Sequence, residues 1–109
     1  MTLLRNLPVQ QPEQLAELIS IEPNRVVSMS MSKSPHCQMT LFALGDGESV
    51  SEECYFGDTL YYVLEGRLSV SMKQNEHTLV PGACLAVPAQ TPHAIAAPDG
   101  CKLLQITLS

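Results

Sequence analysis

The sequence predicts an all-β domain of the sandwich or barrel class. From Val26 onwards, apolar and polar residues alternate with a period of two, which is typical of half-buried strands. Clusters of glycine, proline, asparagine and aspartate break this alternation at intervals of about 8–12 residues, as in antiparallel sandwiches and barrels. No helical pattern alternates with the strands, so the sequence excludes a parallel α/β sheet.

Residues 1–25 are predicted to form an amino-terminal arm and one short helix. The first twelve residues hold two prolines and are interpreted as an arm. Leu15, Leu18 and Ile19 stand at positions i, i+3 and i+4, which predicts an amphipathic helix over residues 13–20. A helix of this length is not stable alone, so we expect it to pack on the larger domain.

Residues 26–109 are predicted to form a single barrel domain of about nine short strands. The predicted strands are 26–32, 37–44, 50–55, 60–64, 67–73, 77–80, 84–88, 93–97 and 102–108. The fourth strand is nearly all apolar, as expected for a strand covered on both faces. Tyr61 and Tyr62 are adjacent residues of this strand and point to its opposite faces, so one is predicted to lie in the core and the other outside. Glu65 and Gly66 predict a tight corner, because glycine adopts positive φ without strain.

Length and charge limit the functions that the chain can have. Its 109 residues suit a single domain. The net charge is −5 and the six lysines and arginines are scattered, so nucleic-acid binding is not expected. No apolar run approaches the roughly 20 residues of a membrane span, and the first residues lack the apolar stretch of a signal peptide. We therefore expect no membrane partner and a cytoplasmic location.

The four cysteines are spread almost evenly along the chain. They are Cys37, Cys54, Cys84 and Cys101, and no two of them form a Cys-x-x-Cys pair. A zinc site made from these cysteines is improbable on spacing. We expect buried, reduced thiols that serve as small apolar residues.

The second half of the chain carries a recognisable pattern of turns. The sequence reads Val-Leu-Glu-Gly at 63–66, Leu-Val-Pro-Gly at 79–82 and Val-Pro-Ala-Gln-Thr-Pro-His at 87–93. Together these segments resemble the cupins, and the resemblance covers roughly residues 38–108. It implies a cupin-like double-stranded β-helix, or jelly-roll barrel. Such barrels commonly form homodimers, and the segment through Ser32 is the candidate contact because its methionine face needs a cover.

The resemblance also places the family's metal ligands on this sequence. The spacing of the first cupin motif fits from Gly47 to Gly66. However, its two histidine positions hold Glu53 and Tyr55, and its glutamate position holds Thr59. In the second motif the last ligand is retained, as His93. The resemblance therefore implies that the frame of the barrel is kept while its metal site is largely rewritten.

Glu53, Tyr55, Thr59 and His93 are consequently the candidate ligand-binding residues. Glu53 and Tyr55 are two residues apart, so on a strand they share one face. A buried carboxylate without a partner is costly, and two arrangements would relieve that cost. Either Glu53 pairs with His93 while Tyr55 donates a hydrogen bond, or a divalent transition metal binds Glu53 and His93 together with waters or a ligand.

Three functions remain open from the sequence. The first is a module that binds a small molecule in the barrel, with or without a weakly held metal. The second is a metal-assisted isomerase, lyase or oxygenase, in which Glu53 and His93 act as metal ligands or as an acid–base pair. The third is a metal-free structural or interaction protein. The sequence names no substrate and no catalytic residue.

Overall fold

The computed structural model describes residues 3–109 and confirms the predicted all-β architecture. Residues 1 and 2 of the predicted arm lie outside the described part. The nine strands are β1 (Val26–Ser30), β2 (Cys37–Leu44), β3 (Ser49–Glu53), β4 (Asp58–Gly66), β5 (Leu68–Met72), β6 (Glu76–Leu79), β7 (Cys84–Val87), β8 (His93–Ala96) and β9 (Cys101–Leu108).

Two antiparallel sheets form the barrel. One sheet has five strands in the order β1-β2-β9-β4-β7, and the other has four strands in the order β3-β8-β5-β6. The side chains that both sheets direct inward form one apolar core. Its buried members are Leu44, Tyr61, Val63, Leu68, Val70, Leu79, Val87, Ile95, Ala97, Cys101 and Leu103. This arrangement is the jelly-roll barrel that the sequence predicts.

Strand β4 shows how the alternation of the sequence becomes burial. Thr59, Tyr61 and Val63 are buried inside the barrel, whereas Tyr62 on the outer side is 37% exposed. The prediction that only one of the two tyrosines lies in the core is confirmed. At the end of β4, Gly66 has φ of 76°, and a Cβ there would lie 2.1 Å from the backbone oxygen of Gly100, in the turn that precedes β9. The corner therefore requires glycine.

The amino-terminal segment covers part of the outer face of the five-stranded sheet. Ile19 is buried there, and Leu15 and Leu18 pack against the same cluster, which includes Leu41 and Ala43 of β2. The predicted helix over residues 13–20 is only a single 3-10 turn, Leu15–Leu18. Its N-cap is a glutamine without a capping hydrogen bond, so the backbone N–H groups of a longer helix would gain no support.

A buried lysine fastens this segment to the sheet. Lys102 of β9 is only 8% exposed. Its ammonium donates a hydrogen bond to the carbonyl oxygen of Ala16 at 2.7 Å and pairs with a carboxylate oxygen of Glu65 at 3.2 Å. Both partners are needed, because a buried charge without them is strongly unfavourable.

The cysteines only partly follow the prediction. All four thiols are free, and Cys101 is buried and Cys37 half-buried. Cys54 and Cys84 are exposed, so the expectation of burial is wrong for them. Cys54 lies in the loop after β3, and Cys84 lies on the outer side of β7 opposite Tyr62. Among residues 3–109, no helix has the length and apolar character to cross a membrane.

Candidate functional site

A small cavity lies between the two sheets and contains three of the four predicted site residues. Its volume is about 20 Å³. It is lined by Phe42, Val50, Ser51, Glu53, Tyr55, Tyr61, His93, Ile95 and Gln105. The predicted convergence of Glu53, Tyr55 and His93 is therefore present in the structure. A cavity of this size holds about one water molecule or one small head group.

His93 forms the floor of this cavity and has both ring nitrogens engaged. It is the first residue of β8 and is 2% exposed. Its Nδ1 lies 2.8 Å from the carbonyl oxygen of Thr91, and its Nε2 lies 2.7 Å from the hydroxyl of Tyr61. A carbonyl only accepts, so Nδ1–H donates to Thr91. With Nδ1 as the donor nitrogen, Nε2 is the nitrogen that accepts a hydrogen bond from the Tyr61 hydroxyl.

Tyr61 is the site residue that sequence reasoning missed. It belongs to β4 of the opposite sheet, so its bond to His93 joins the two sheets across the barrel. The two rings meet edge to face, with centroids 5.5 Å apart and an interplanar angle of 73°. Burial raises the pKa of Tyr61 above its ordinary value, and the nearby Tyr55 and Glu53 raise that pKa further. The hydroxyl therefore stays protonated and donates at neutral pH.

Tyr55 stands at the outer side of the cavity and is half-buried. Its ring centroid is 5.9 Å from that of His93. Burial raises the pKa of the phenol; its hydrogen bond with the Gln105 side chain lowers that pKa, and the charge of Glu53 raises it. The predicted strand 50–55 ends at Glu53, so alternation along a strand does not place Tyr55. The position of Tyr55 is fixed instead by a backbone hydrogen bond, in which Gln90 N–H donates to the Tyr55 carbonyl at 2.7 Å.

Glu53 lies at the mouth of the cavity and remains exposed. It pairs with His93 in the β3–β8 register, after an irregularity between Val50 and Glu53. The predicted ion pair between the two side chains is not formed within the described residues, because the ring of His93 bonds Tyr61 and Thr91 instead. Exposure explains this outcome, since a carboxylate that stays in water needs no buried partner.

Thr59 is not brought to the cavity. It lies in the same strand as Tyr61 and is 1% exposed. Its hydroxyl is 3.0 Å from that of Thr107, the residue that pairs with it in the β4–β9 register. Each hydroxyl thereby satisfies the other in the core.

The donor set does not fit a resident metal ion. Among residues 3–109, no group of three or more histidines, cysteines, aspartates or glutamates could hold one. Glu53 and His93 supply two ligands at most, and Nε2 of His93 already accepts a hydrogen bond from Tyr61. A metal at this nitrogen would displace that hydroxyl from a buried bond. The metal site at Glu53 and His93 therefore stays a prediction, and the geometry disfavours it.

Comparison with known families and structures identifies the fold. A family model of the cupin domain matches residues 41–107. The chain belongs to the cupin family. The matched region runs from the middle of β2 to the last residue but one of β9, so it contains all the residues that line the cavity. No curated protein matches the chain.

Solved cupin structures align over almost the whole chain. A cupin superfamily protein from Desulfitobacterium hafniense DCB-2 is 48% identical, covers 96% of both chains and superposes with a TM-score of 0.94. A conserved protein of unknown function from Streptococcus pyogenes is 21% identical, with a TM-score of 0.95 over 100% of this cupin and 96% of its own chain.

One more distant match is an enzyme. The salicylate 1,2-dioxygenase of Pseudoaminobacter salicylatoxidans is 19% identical over 75% of this chain and 25% of its own, with a TM-score of 0.69. At this level of identity the match shows a common fold and nothing about activity.

Proposed function

We propose that this cupin is a metal-free binding module that holds a small hydrogen-bond-donating head group, such as an ammonium, at the mouth of its barrel. The observation that supports this proposal is the contrast between the floor and the mouth. On the floor, His93 and Tyr61 satisfy each other. At the mouth, the Glu53 carboxylate is exposed and faces the same cavity.

The lining of the cavity favours a donor over an acceptor. The carboxylate of Glu53 only accepts hydrogen bonds, and the side-chain oxygen of Gln105 and the hydroxyl of Ser51 can also accept. An ammonium carries three donors and a positive charge, which suits a carboxylate at the edge of a low-dielectric cavity. The volume of about 20 Å³ limits the inserted part to one small group, so the rest of the ligand would lie outside the mouth.

Three matched small molecules test this preference: methylammonium, methanol and formate. We expect methylammonium to shift the NMR signals of Tyr55 and His93 in the wild type, and formate to leave them unchanged. Glu53→Gln should weaken methylammonium binding by about tenfold, because a hydrogen bond to a charged partner is lost. Glu52→Gln is the matched control, since it removes the adjacent carboxylate, which does not line the cavity. Equal shifts with formate, or equal loss in both variants, would contradict the proposal.

The metal-assisted enzyme is the alternative that metal analysis decides. Protein purified without chelators should contain far less than one equivalent of any divalent transition metal, in the wild type and in His93→Ala alike. The reason is that His93 offers no free ring nitrogen. Stoichiometric metal in the wild type that disappears in His93→Ala would establish a centre at Glu53 and His93 and would support the enzyme.

We further propose that the partner of this cupin is a second copy of the same chain. The outer face of the five-stranded sheet is apolar beyond the part that the amino-terminal segment covers. There Leu60 is 36%, Tyr62 37% and Leu108 57% exposed. The arm itself exposes Leu3 to 62% and Val9 to 91%. Two such apolar areas on one chain are relieved together in a two-fold dimer, in which each arm covers the other sheet.

Analytical ultracentrifugation tests the dimer. We expect the wild type to sediment as a dimer at micromolar concentration, because a stable interface buries about 800 Å² per partner and two such faces supply apolar area for it. Leu60→Lys should shift the protein to monomer by placing a charge in the interface. Val80 is also apolar and is 53% exposed, but it lies outside this sheet, so Val80→Lys should leave the protein dimeric. A wild type that stays monomeric at 100-fold higher concentration would exclude this partner.

A further inference from the structure

A second, larger concavity lies beside the mouth, and six of its eight lining residues are polar. Its volume is about 810 Å³, which is in the range of organic-ligand sites. We call it the Glu52–Lys73 groove; it is lined by Glu52, Met72, Lys73, Gln74, Asn75, Gln90, Thr91 and Pro92. It has no lining residue in common with the small cavity at His93.

The groove is built by tertiary structure. Its lining comes from three segments: β3, the β5–β6 hairpin, and the loop that precedes β8. The concavities along the amino-terminal arm differ, because one of about 610 Å³ is lined by residues 3–9 alone and is only a crease in one stretch of chain. Bringing distant segments together requires the folded barrel, so the shape of the groove is fixed by the sheet beneath it.

One wall of the groove holds a strained residue. Gln90 has φ of +60°, in the left-handed region that residues other than glycine rarely adopt. This conformation is retained by the hydrogen bond from its N–H to the Tyr55 carbonyl. Such outliers cost about 1 kcal/mol or more and concentrate at functional sites. In this protein the strained residue is one of those that line the groove.

The groove carries one negative and one positive side chain, Glu52 and Lys73, and both are free to contact a ligand. Within residues 3–109, neither Glu52 nor Lys73 takes part in a salt bridge or a side-chain hydrogen bond. Glu52 lies on β3 and Lys73 directly follows β5, and β8 runs between these two strands. Two strand spacings separate their backbones by about 10 Å. Gln74, Asn75 and Gln90, which carry side-chain amides, are also among the residues that line the groove.

From this arrangement we infer that the Glu52–Lys73 groove binds a short peptide with free termini. The peptide ammonium lies at Glu52 and its carboxylate at Lys73. An extended chain advances about 3.3 Å per residue, so a tripeptide is about as long as the separation between the two backbones that carry these charges. The glutamine and asparagine amides offer both donors and acceptors, which peptide amides require. Met72 and Pro92 supply apolar contact with the peptide backbone.

Glycine peptides test this inference without contributions from side chains. Triglycine should shift the backbone NMR signals of residues 72–75 and 90–92, with an affinity near millimolar, and it should bind more tightly than diglycine or pentaglycine. N-acetyl-triglycine lacks the ammonium, and triglycinamide lacks the carboxylate. Each should bind about two- to fivefold more weakly than triglycine, as expected for the loss of one exposed ion pair.

Charge variants assign the two ends of the peptide. In Glu52→Gln, triglycine and N-acetyl-triglycine should bind equally, because the partner of the ammonium is gone. In Lys73→Met, triglycine and triglycinamide should bind equally. Glu17→Gln is the matched control and should bind triglycine as the wild type does, because this exposed carboxylate lines neither the groove nor the inner cavity. The inference is overturned if triglycine shifts no signal in the groove, or if the charge dependence survives both groove variants.

Discussion

Glu52 and Glu53 are neighbours in the sequence, yet they serve two different concavities. Glu53 borders a cavity of about 20 Å³ whose floor is a hydrogen-bonded pair. Glu52 borders a groove of about 810 Å³ whose charges have no partner within residues 3–109. Buried polar groups must bond one another, and in doing so they lose their capacity for ligands. Exposed groups keep that capacity because water satisfies them in the meantime.

The comparison predicts that the inner cavity tolerates changes poorly and the outer groove tolerates them well. His93→Ala should have the largest effect. It removes a buried ring and leaves the Tyr61 hydroxyl and the Thr91 carbonyl without partners. We expect a loss of about 3 kcal/mol in the free energy of unfolding, measured by urea denaturation. A loss below about 1 kcal/mol would mean that water replaces the ring, and that the floor is less closed than its geometry indicates.

Tyr61→Phe isolates the single hydrogen bond in the same place. The ring and its edge-to-face contact remain, and only the hydroxyl that bonds Nε2 of His93 is removed. We expect a loss of about 1–2 kcal/mol, because a buried acceptor stays unsatisfied. Tyr62→Phe on the outer side of β4 is the matched control and should change the unfolding free energy by less than about 0.5 kcal/mol.

Alkaline pH probes the same tyrosine by its ionisation. The pKa of Tyr61 is raised in the folded protein, and burial raises the pKa of the Cys101 thiol to about 12. Above pH 9–10 the unfolded chain therefore releases protons that the folded chain keeps. The stability is complete below the unfolded pKa values and falls as the pH rises beyond them. In Tyr61→Phe the free energy of unfolding, measured by urea denaturation, should fall less steeply between pH 10 and 11 than in the wild type. An unchanged slope would show that this phenol does not contribute to the pH dependence.

Gln90→Gly examines the strained wall of the groove. Glycine adopts φ of +60° without steric cost, so the variant should gain up to about 1 kcal/mol of stability, less the extra entropy of its unfolded chain. The accompanying loss of the Gln90 amide should weaken triglycine binding. A more stable variant with unchanged binding would separate the strain from any role in the groove.

Lys73→Met should have the smallest effect on folding. Its ammonium has no ion-pair partner among the described residues, so its removal should change the unfolding free energy by less than about 0.5 kcal/mol. Thermal unfolding in the absence of peptide measures this change. Lys102→Met is the informative contrast, because Lys102 is buried and bonded to Ala16 and Glu65. A large loss in Lys73→Met would show that the groove is structural.

Alternation and turn residues were sufficient to predict the architecture. Each predicted strand corresponds to one of the nine, because each shows either a period of two or a short apolar run and ends at glycine, proline or a polar turn. The predicted bounds differ by up to two residues where pairing decides them. Leu60–Leu64 extends to Asp58–Gly66 because β9 pairs along its whole length. The helix was overestimated, since its apolar spacing was present and its capping was not.

The site was predictable only as far as local spacing and family resemblance reach. Glu53, Tyr55 and His93 converge as expected. The contact between Tyr61 and His93 crosses from one sheet to the other, and it depends on pairings that no local pattern encodes. The alternation along β4 indicated that one of two adjacent tyrosines is buried, and this was the sequence signal that could have identified Tyr61 as a site residue. Thr59 matched a motif position by spacing, but the β4–β9 register directs it to Thr107.

Lys102 gives residues 3–20 a structural role that their mostly irregular backbone does not reveal. In a shortened chain that begins at β1, the ammonium of Lys102 would lose the carbonyl of Ala16 and would keep only Glu65 as a partner. The same truncation would bare Leu41 and Ala43 of β2, which are now fully covered. We therefore expect the barrel strands alone to aggregate when expressed, because the amino-terminal segment covers the apolar face beneath it and bonds the buried ammonium.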